Sequence, residues 1–95
     1  MAIVWTAEGA EDFLAALTYL RKRNRAAAER SMHEVNAALQ RLDELPIDGP
    51  EGQLSSGALV RSWPVPPFRV YYQRRAHDVL IVRLYDQRRE PIERE

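Results

Sequence analysis

Residues 68 to 85, FRVYYQRRAHDVLIVRLY, constrain the fold of this chain more than any other stretch. Phe68, Val70 and Tyr72 alternate with Arg69, Tyr71 and Gln73, and an alternation of period two marks a strand with one face buried. A short polar turn follows at Arg74 to Asp78, and then a second apolar run from Val79 to Tyr85. Strand, turn and strand are therefore expected, with arginines carried on the sheet. Arginine costs side-chain entropy to fix and is rarely placed in cores. Several on one small sheet point to a surface that meets phosphate or carboxylate.

The preceding residues supply the remaining elements. Ile3, Val4 and Trp5 predict a short opening strand. Thr6 is positioned to cap a helix whose first turns hold Glu8, Glu11 and Asp12, where the helix dipole favours negative charge. Ala10, Phe13, Leu14, Leu17 and Leu20 recur at helical spacing, and Arg21, Lys22 and Arg23 stand at the dipole's negative end. Asn24 can close this helix and cap the next, whose stripe is Ala28, Met32, Val35, Leu39 and Leu42. Pro46 disfavours helical geometry at Leu45, so the second helix must stop there. The link between the helices is very short, which predicts an antiparallel hairpin. Pro46 to Gly57, with five prolines and glycines, reads as a loop. Ala58 to Trp63 reads as a strand, ended by the bend that Pro64, Pro66 and Pro67 impose. The expected fold is α+β: an N-terminal strand, a helical hairpin, then an antiparallel three-stranded meander with the helices on one sheet face.

Ninety-five residues allow one domain over residues 1–95. Hydrophobic residues make up 45%, enough for a core and too many for a disordered chain. No apolar run approaches the roughly 20 residues of a membrane span, and no basic-then-apolar leader opens the chain. The absence of cysteine excludes disulfides, thiol catalysis and Cys-ligated metal, and suits the cytoplasm. His33 and His77 have no partners at ligand spacing, so no metal is expected. Gly49 and Gly52 lack the lysine and helix of a phosphate cradle, and Ser55, Ser56 and Ser62 lack a histidine for a triad. No cofactor is expected.

Net charge is zero but unevenly spread. Residues 1–54 hold six Arg/Lys against nine Asp/Glu, whereas residues 55–95 hold eight arginines and no lysine against five Asp/Glu. Arginine's planar fork bonds two oxygens at once, which suits oxyanion recognition. Arg69, Tyr71 and Gln73 share one face of their strand; Val79, Ile81, Arg83 and Tyr85 share one face of the next. Arg61 lies on the preceding strand, and Arg88 and Arg89 follow the last. A patch of Arg61, Arg69, Arg83 and Arg88 would suit an RNA backbone or an acidic protein surface. Tyr71 and Tyr85 could stack on a base or act through a hydroxyl. The plainer alternative pairs the arginines with Asp78, Asp86 and Glu90 and makes the tyrosines sheet neighbours.

An opening Val-Trp-Thr, an alanine-rich helical hairpin, a Pro-Gly loop and the strand Phe68-Arg69-Val70-Tyr71-Tyr72 together resemble the RelE/ParE superfamily of bacterial type II toxins. The ending Val82-Arg83-Leu84-Tyr85-Asp86-Gln87-Arg88-Arg89-Glu90-Pro91 is most similar to the ParE branch, the plasmid stabilisation proteins. The resemblance implies a toxin held inactive by a cognate antitoxin. In the superfamily, RelE-type toxins cut mRNA in the ribosomal A site, and ParE-type toxins inhibit DNA gyrase. Arg69 and Arg88 match the arginines of the family's strand and tail. Asp86 stands where the branch commonly has histidine, and no tyrosine or histidine follows Arg88. RNA cleavage by a 2′-hydroxyl needs a base, an acid and charge stabilisation. The sequence offers the last without a good candidate for the first two. The expectation is therefore a ParE-like toxin that inhibits gyrase by binding through Arg61, Arg69, Arg83, Arg88 and Arg89. The alternative is a ribosome-dependent mRNA endonuclease using Arg69, Arg88, Tyr71 and Tyr85. The helical stripes, Trp5, Trp63 and the sheet edges are expected to leave an apolar groove for the antitoxin.

Overall fold

The computed structural model describes residues 2–87. Its elements run β1 (Ala2–Trp5), α1 (Ala7–Arg23), α2 (Arg25–Glu44), β2 (Glu51–Gln53), β3 (Leu59–Val65), β4 (Phe68–Arg74) and β5 (Asp78–Asp86). The strands form one sheet in the order β1-β5-β4-β3-β2. Strands β2 to β5 are antiparallel neighbours, and β1 joins β5 in parallel, with Ala2 opposite Asp78 and Trp5 opposite Ile81. The helical hairpin covers one face. Its buried side chains, among them Leu17, Leu20, Val35, Leu39 and Leu42, pack on Val65, Phe68, Val70, Tyr72, Val79, Ile81 and Leu84 of the sheet. Each of these large side chains contributes about 1.5–3 kcal/mol by leaving water.

The helix boundaries follow from their caps. Thr6 has extended backbone, and its hydroxyl accepts from the Gly9 amide at 3.0 Å. The same oxygen lies 3.1 Å from both the Ile81 and Val82 carbonyl oxygens, so the cap of α1 is also tied to β5. Gly9 makes this approach feasible, because a Cβ there would stand 2.5 Å from the Ile81 carbonyl oxygen. Asn24 donates its amide to the Leu20 carbonyl at 2.7 Å, and its side chain accepts from Ala27 at 3.0 Å. One residue thus ends α1 and starts α2, as its sequence position predicts. Leu45, ahead of Pro46, is extended at φ −111°, and α2 stops at Glu44.

Three details depart from the sequence expectation. The meander has a fourth strand, β2, inside the segment read as loop. It is three exposed residues with no apolar alternation to announce it. Strand β3 runs on through Pro64 to Val65 instead of ending at Trp63. The Ser62 amide points outward to the Pro50 carbonyl, so the position two residues on also faces outward. Strand β2 pairs only with Leu59 to Arg61, and the missing Pro64 N–H therefore breaks no ladder bond. The third is a β-bulge. Tyr71 opposes Arg83 and Tyr72 opposes Ile81, which leaves Val82 as an extra residue in β5. The expected common face of Val79, Ile81, Arg83 and Tyr85 is broken there. Val79, Ile81 and Leu84 point to the core, and Arg83 and Tyr85 take the other face.

Candidate target-binding face

The sheet face away from the helices carries the cross-strand pairs Ser62–Tyr71, Pro64–Arg69, Arg69–Tyr85 and Tyr71–Arg83. The bulge is what gathers them, because without the extra Val82 the side chain of Arg83 would turn toward the core. Arg69 donates to the Ser62 hydroxyl at 2.7 Å and has no carboxylate within ion-pair distance among the described residues. Tyr71 and Tyr85 meet edge to face at 5.5 Å between centroids. The Arg83 guanidinium lies 5.0 Å from the centre of the Tyr85 ring, a cation–π contact. The structure thus brings Arg69, Arg83, Tyr71 and Tyr85 together, and the two tyrosines are sheet neighbours.

Arg83 reaches past the sheet edge to Asp12 of α1. Its Nε and Nη2 donate to the two carboxylate oxygens at 2.7 and 3.2 Å, and the Leu84 amide donates to Asp12 Oδ2 at 3.1 Å. This contact answers a problem of topology. Strand β1 pairs only as far as Ile81, so among the described residues the outer edge of β5 beyond that point has no strand beside it. Asp12 supplies the acceptor that a further strand would have given. The hydrogen bond from Arg83 to Asp12 raises the guanidinium's pKa above its ordinary value and keeps the side chain charged. Asp12 was legible in the sequence only as a favourable charge near the start of a helix. Its role depends on where β1 ends.

Arg61 does not join the patch expected from the sequence. It pairs with Tyr72, so its side chain stands on the helix side of the sheet, opposite to that of Arg69. There it donates to the Gly49 carbonyl at 2.9 Å and to Glu51 at 3.0 Å. Arg88 and Arg89 lie outside the described residues. Among the described residues the ion pairs are Arg61–Glu51, Arg74–Asp48 and Arg83–Asp12, and none of them uses Asp78. His33 is exposed on α2, and His77 is exposed in the β4–β5 turn. No group of three metal-ligating side chains occurs among the described residues.

Arg74 holds the loop that follows α2. It donates to the Leu42 and Ile47 carbonyls at 2.8 and 2.7 Å and to Asp48 at 2.7 Å. The Tyr72 hydroxyl donates to Asp48 at 3.1 Å and accepts from the Gly49 amide at 2.9 Å. The Arg74 hydrogen bond holds the Asp48 carboxyl below its ordinary pKa, against the opposing effect of burial. A lowered folded-state pKa means that the unfolded chain binds the proton first. Stability from this carboxylate is present above the unfolded value of about 3.9 and is lost as pH falls through the lower folded value. Urea unfolding followed from pH 6 down to pH 2 is expected to show a smaller acid-induced loss in Asp48→Asn than in the parent chain. The variant should be less stable by about 1 kcal/mol at neutral pH, a modest figure because the carboxylate is partly in water. Equal acid slopes in the two proteins would remove the Asp48 contribution.

Comparison with known proteins fixes the family. The model for the ParE toxin of type II toxin-antitoxin systems, parDE, matches residues 3–91. The chain belongs to the ParE toxin family. Among solved structures, a chain of the chromosomal ParDE toxin–antitoxin system from P. aeruginosa superposes with a TM-score of 0.73 at 16% identity, over 90% of this chain and 95% of that one. At that identity the ParDE chain supports the ParE fold and nothing finer. No curated protein sequence matches. Among the described residues no helix is long and apolar enough to cross a membrane.

Proposed function

We propose that this ParE-family chain is a toxin that inhibits DNA gyrase by binding it and is neutralised by a cognate antitoxin. The observation that carries this reading is the environment of Arg69. A half-buried guanidinium whose side-chain partner among the described residues is a hydroxyl, flanked by Tyr85 and Pro64, suits an oxyanion. Neither histidine is near enough to exchange protons with a substrate held there. His77 lies past the far end of β4, beyond five residues of strand or about 17 Å, and His33 is on the helix layer. Gripping is served by this face, and proton transfer by an imidazole is not. The test is purified gyrase with purified toxin. Supercoiling should be inhibited, and Arg69→Gln should weaken inhibition at least tenfold. Unaltered supercoiling at excess toxin would reject the proposal.

The alternative, a ribosome-dependent mRNA endonuclease, is favoured by the juxtaposition of Arg69 with Tyr71 and Tyr85, whose hydroxyls could act as acid and base. Primer extension on translated mRNA would then show codon-positioned cuts. The antitoxin has apolar surface to cover. Val4 and Leu14 are 38% and 65% exposed, and each is the chain neighbour of a ring in the stacked pair Trp5 and Phe13. The rings of Trp5 and Trp63 and the inner faces of the helices, also expected to line such a groove, already pack against the core.

A further inference from the structure

We propose that the closed end of the helical hairpin is a docking surface for the phosphate backbone of duplex DNA. The end reads Arg21-Lys22-Arg23-Asn24-Arg25, and no acidic residue stands between Asp12 and Glu29. In a chain of zero net charge, four cations fall within five residues. All five side chains are exposed. Three arginines elsewhere, Arg61, Arg74 and Arg83, are each paired with a carboxylate. At the hairpin end none has one among the described residues. Arg23 instead donates to the Tyr19 carbonyl at 3.3 Å and lies 3.7 Å from the centre of the Tyr19 ring, which holds it in place without neutralising it.

Helix electrostatics explain only part of the cluster. Arg21, Lys22 and Arg23 lie in the last turn of α1, where cations are favoured. Arg25 is different. It is the first residue of α2, whose first turn contains no acid, and a cation there is disfavoured by the helix dipole and by its three neighbours. A charge set against the fold's own stability fits a surface used for binding. The spacing suits DNA better than a carboxylate-bearing protein. Two packed helices are about 8–10 Å apart, and duplex DNA presents one negative charge per roughly 1.7 Å of axis, so several phosphates face the end at once. Three of the four cations are arginine, which bonds phosphate oxygens in pairs.

The proposal needs no gyrase, so its failure and that of the gyrase reading are separable. The test is fluorescence anisotropy of a labelled random-sequence duplex titrated with the full chain between about 50 and 200 mM salt. Binding is expected to weaken with salt at a logarithmic slope of about −3 to −4, the value for four neutralised phosphates. Arg21→Gln/Arg25→Gln should bind about tenfold more weakly, with the slope reduced by about 2. The charge-matched pair Arg41→Gln/Arg75→Gln, also exposed, should bind like the parent. Circular dichroism melting should show the hairpin-end variant as stable as the parent, since the loss of Arg21 from the favourable end of α1 is offset by relief of the like-charge cluster at Arg25. Absence of salt-dependent binding would overturn the proposal. Equal weakening by the two charge-matched pairs would overturn it by showing a diffuse charge effect. Equally tight binding of polyglutamate would overturn it in favour of an acidic protein partner.

Discussion

Gly49→Ala is expected to unfold a large share of the protein at room temperature. A Cβ at this position would fall 1.6 Å from the Ser62 carbonyl oxygen and 2.8 Å from its carbon. Both are backbone atoms in the middle of β3, so no rotamer change relieves the overlap. The loop must lift, and lifting it breaks the bond from Gly49 N–H to the Tyr72 hydroxyl and that from Arg61 to the Gly49 carbonyl. Tyr72 has no exposed surface, so its hydroxyl would lose a donor in a place water cannot reach. Overpacking and the lost bonds together are expected to cost about 3–5 kcal/mol, a large part of the stability of a small domain. Urea unfolding monitored by tryptophan fluorescence measures it directly. A loss below about 1 kcal/mol would mean that the loop sits away from β3 in solution.

The second large effect is expected at Asp12. Removal by Asp12→Ala leaves the Arg83 guanidinium without its carboxylate and the Leu84 amide without its acceptor. The side chains of Arg83 and Asp12 are 30% and 18% exposed, so water compensates only in part. The expected cost is about 2–3 kcal/mol. Asp12→Asn keeps an acceptor for Leu84 and loses the charge, and should cost about half as much. A double-mutant cycle with Arg83→Met separates the pair from the packing around it and should give a coupling above about 1 kcal/mol. Additive effects in that cycle would assign the whole cost to Leu84 N–H. Thermal melts of the four proteins suffice, because all of them retain the core.

The elements fixed by local chemistry could be read from the chain. Thr6, Asn24 and Pro46 bounded both helices because a cap or a proline acts within a turn of itself. The alternation of Phe68 to Gln73 assigned both faces of β4. The features that escaped were set by distant parts of the chain. Strand β2 exists because β3 offers it an edge, and its own residues carry no apolar pattern. Pro64 stays in a strand because β2 stops short of it. The bulge at Val82 shifted Arg83 and Tyr85 by one position and so reversed their faces. That shift delivered Arg83 and Tyr85 to the side of Arg69, while the register of β3 removed Arg61 from it. Asp12 and Ser62, the partners of Arg83 and Arg69, had no signal of their own, since each is meaningful only across the sheet.

Strand β1 lies parallel to β5, and the Thr6 cap bonds a carbonyl 75 residues further on. A growing chain can wind its two helices as they emerge, because their bonds are local. Ile3, Val4 and Trp5 have no strand to join until Val79 to Ile81 have been made. Ile3 to Trp5 therefore stay without their sheet partner while the helices and the first strands of the meander are made. For a member of a toxin family, such an order of assembly delays the completed sheet until β5 is in place.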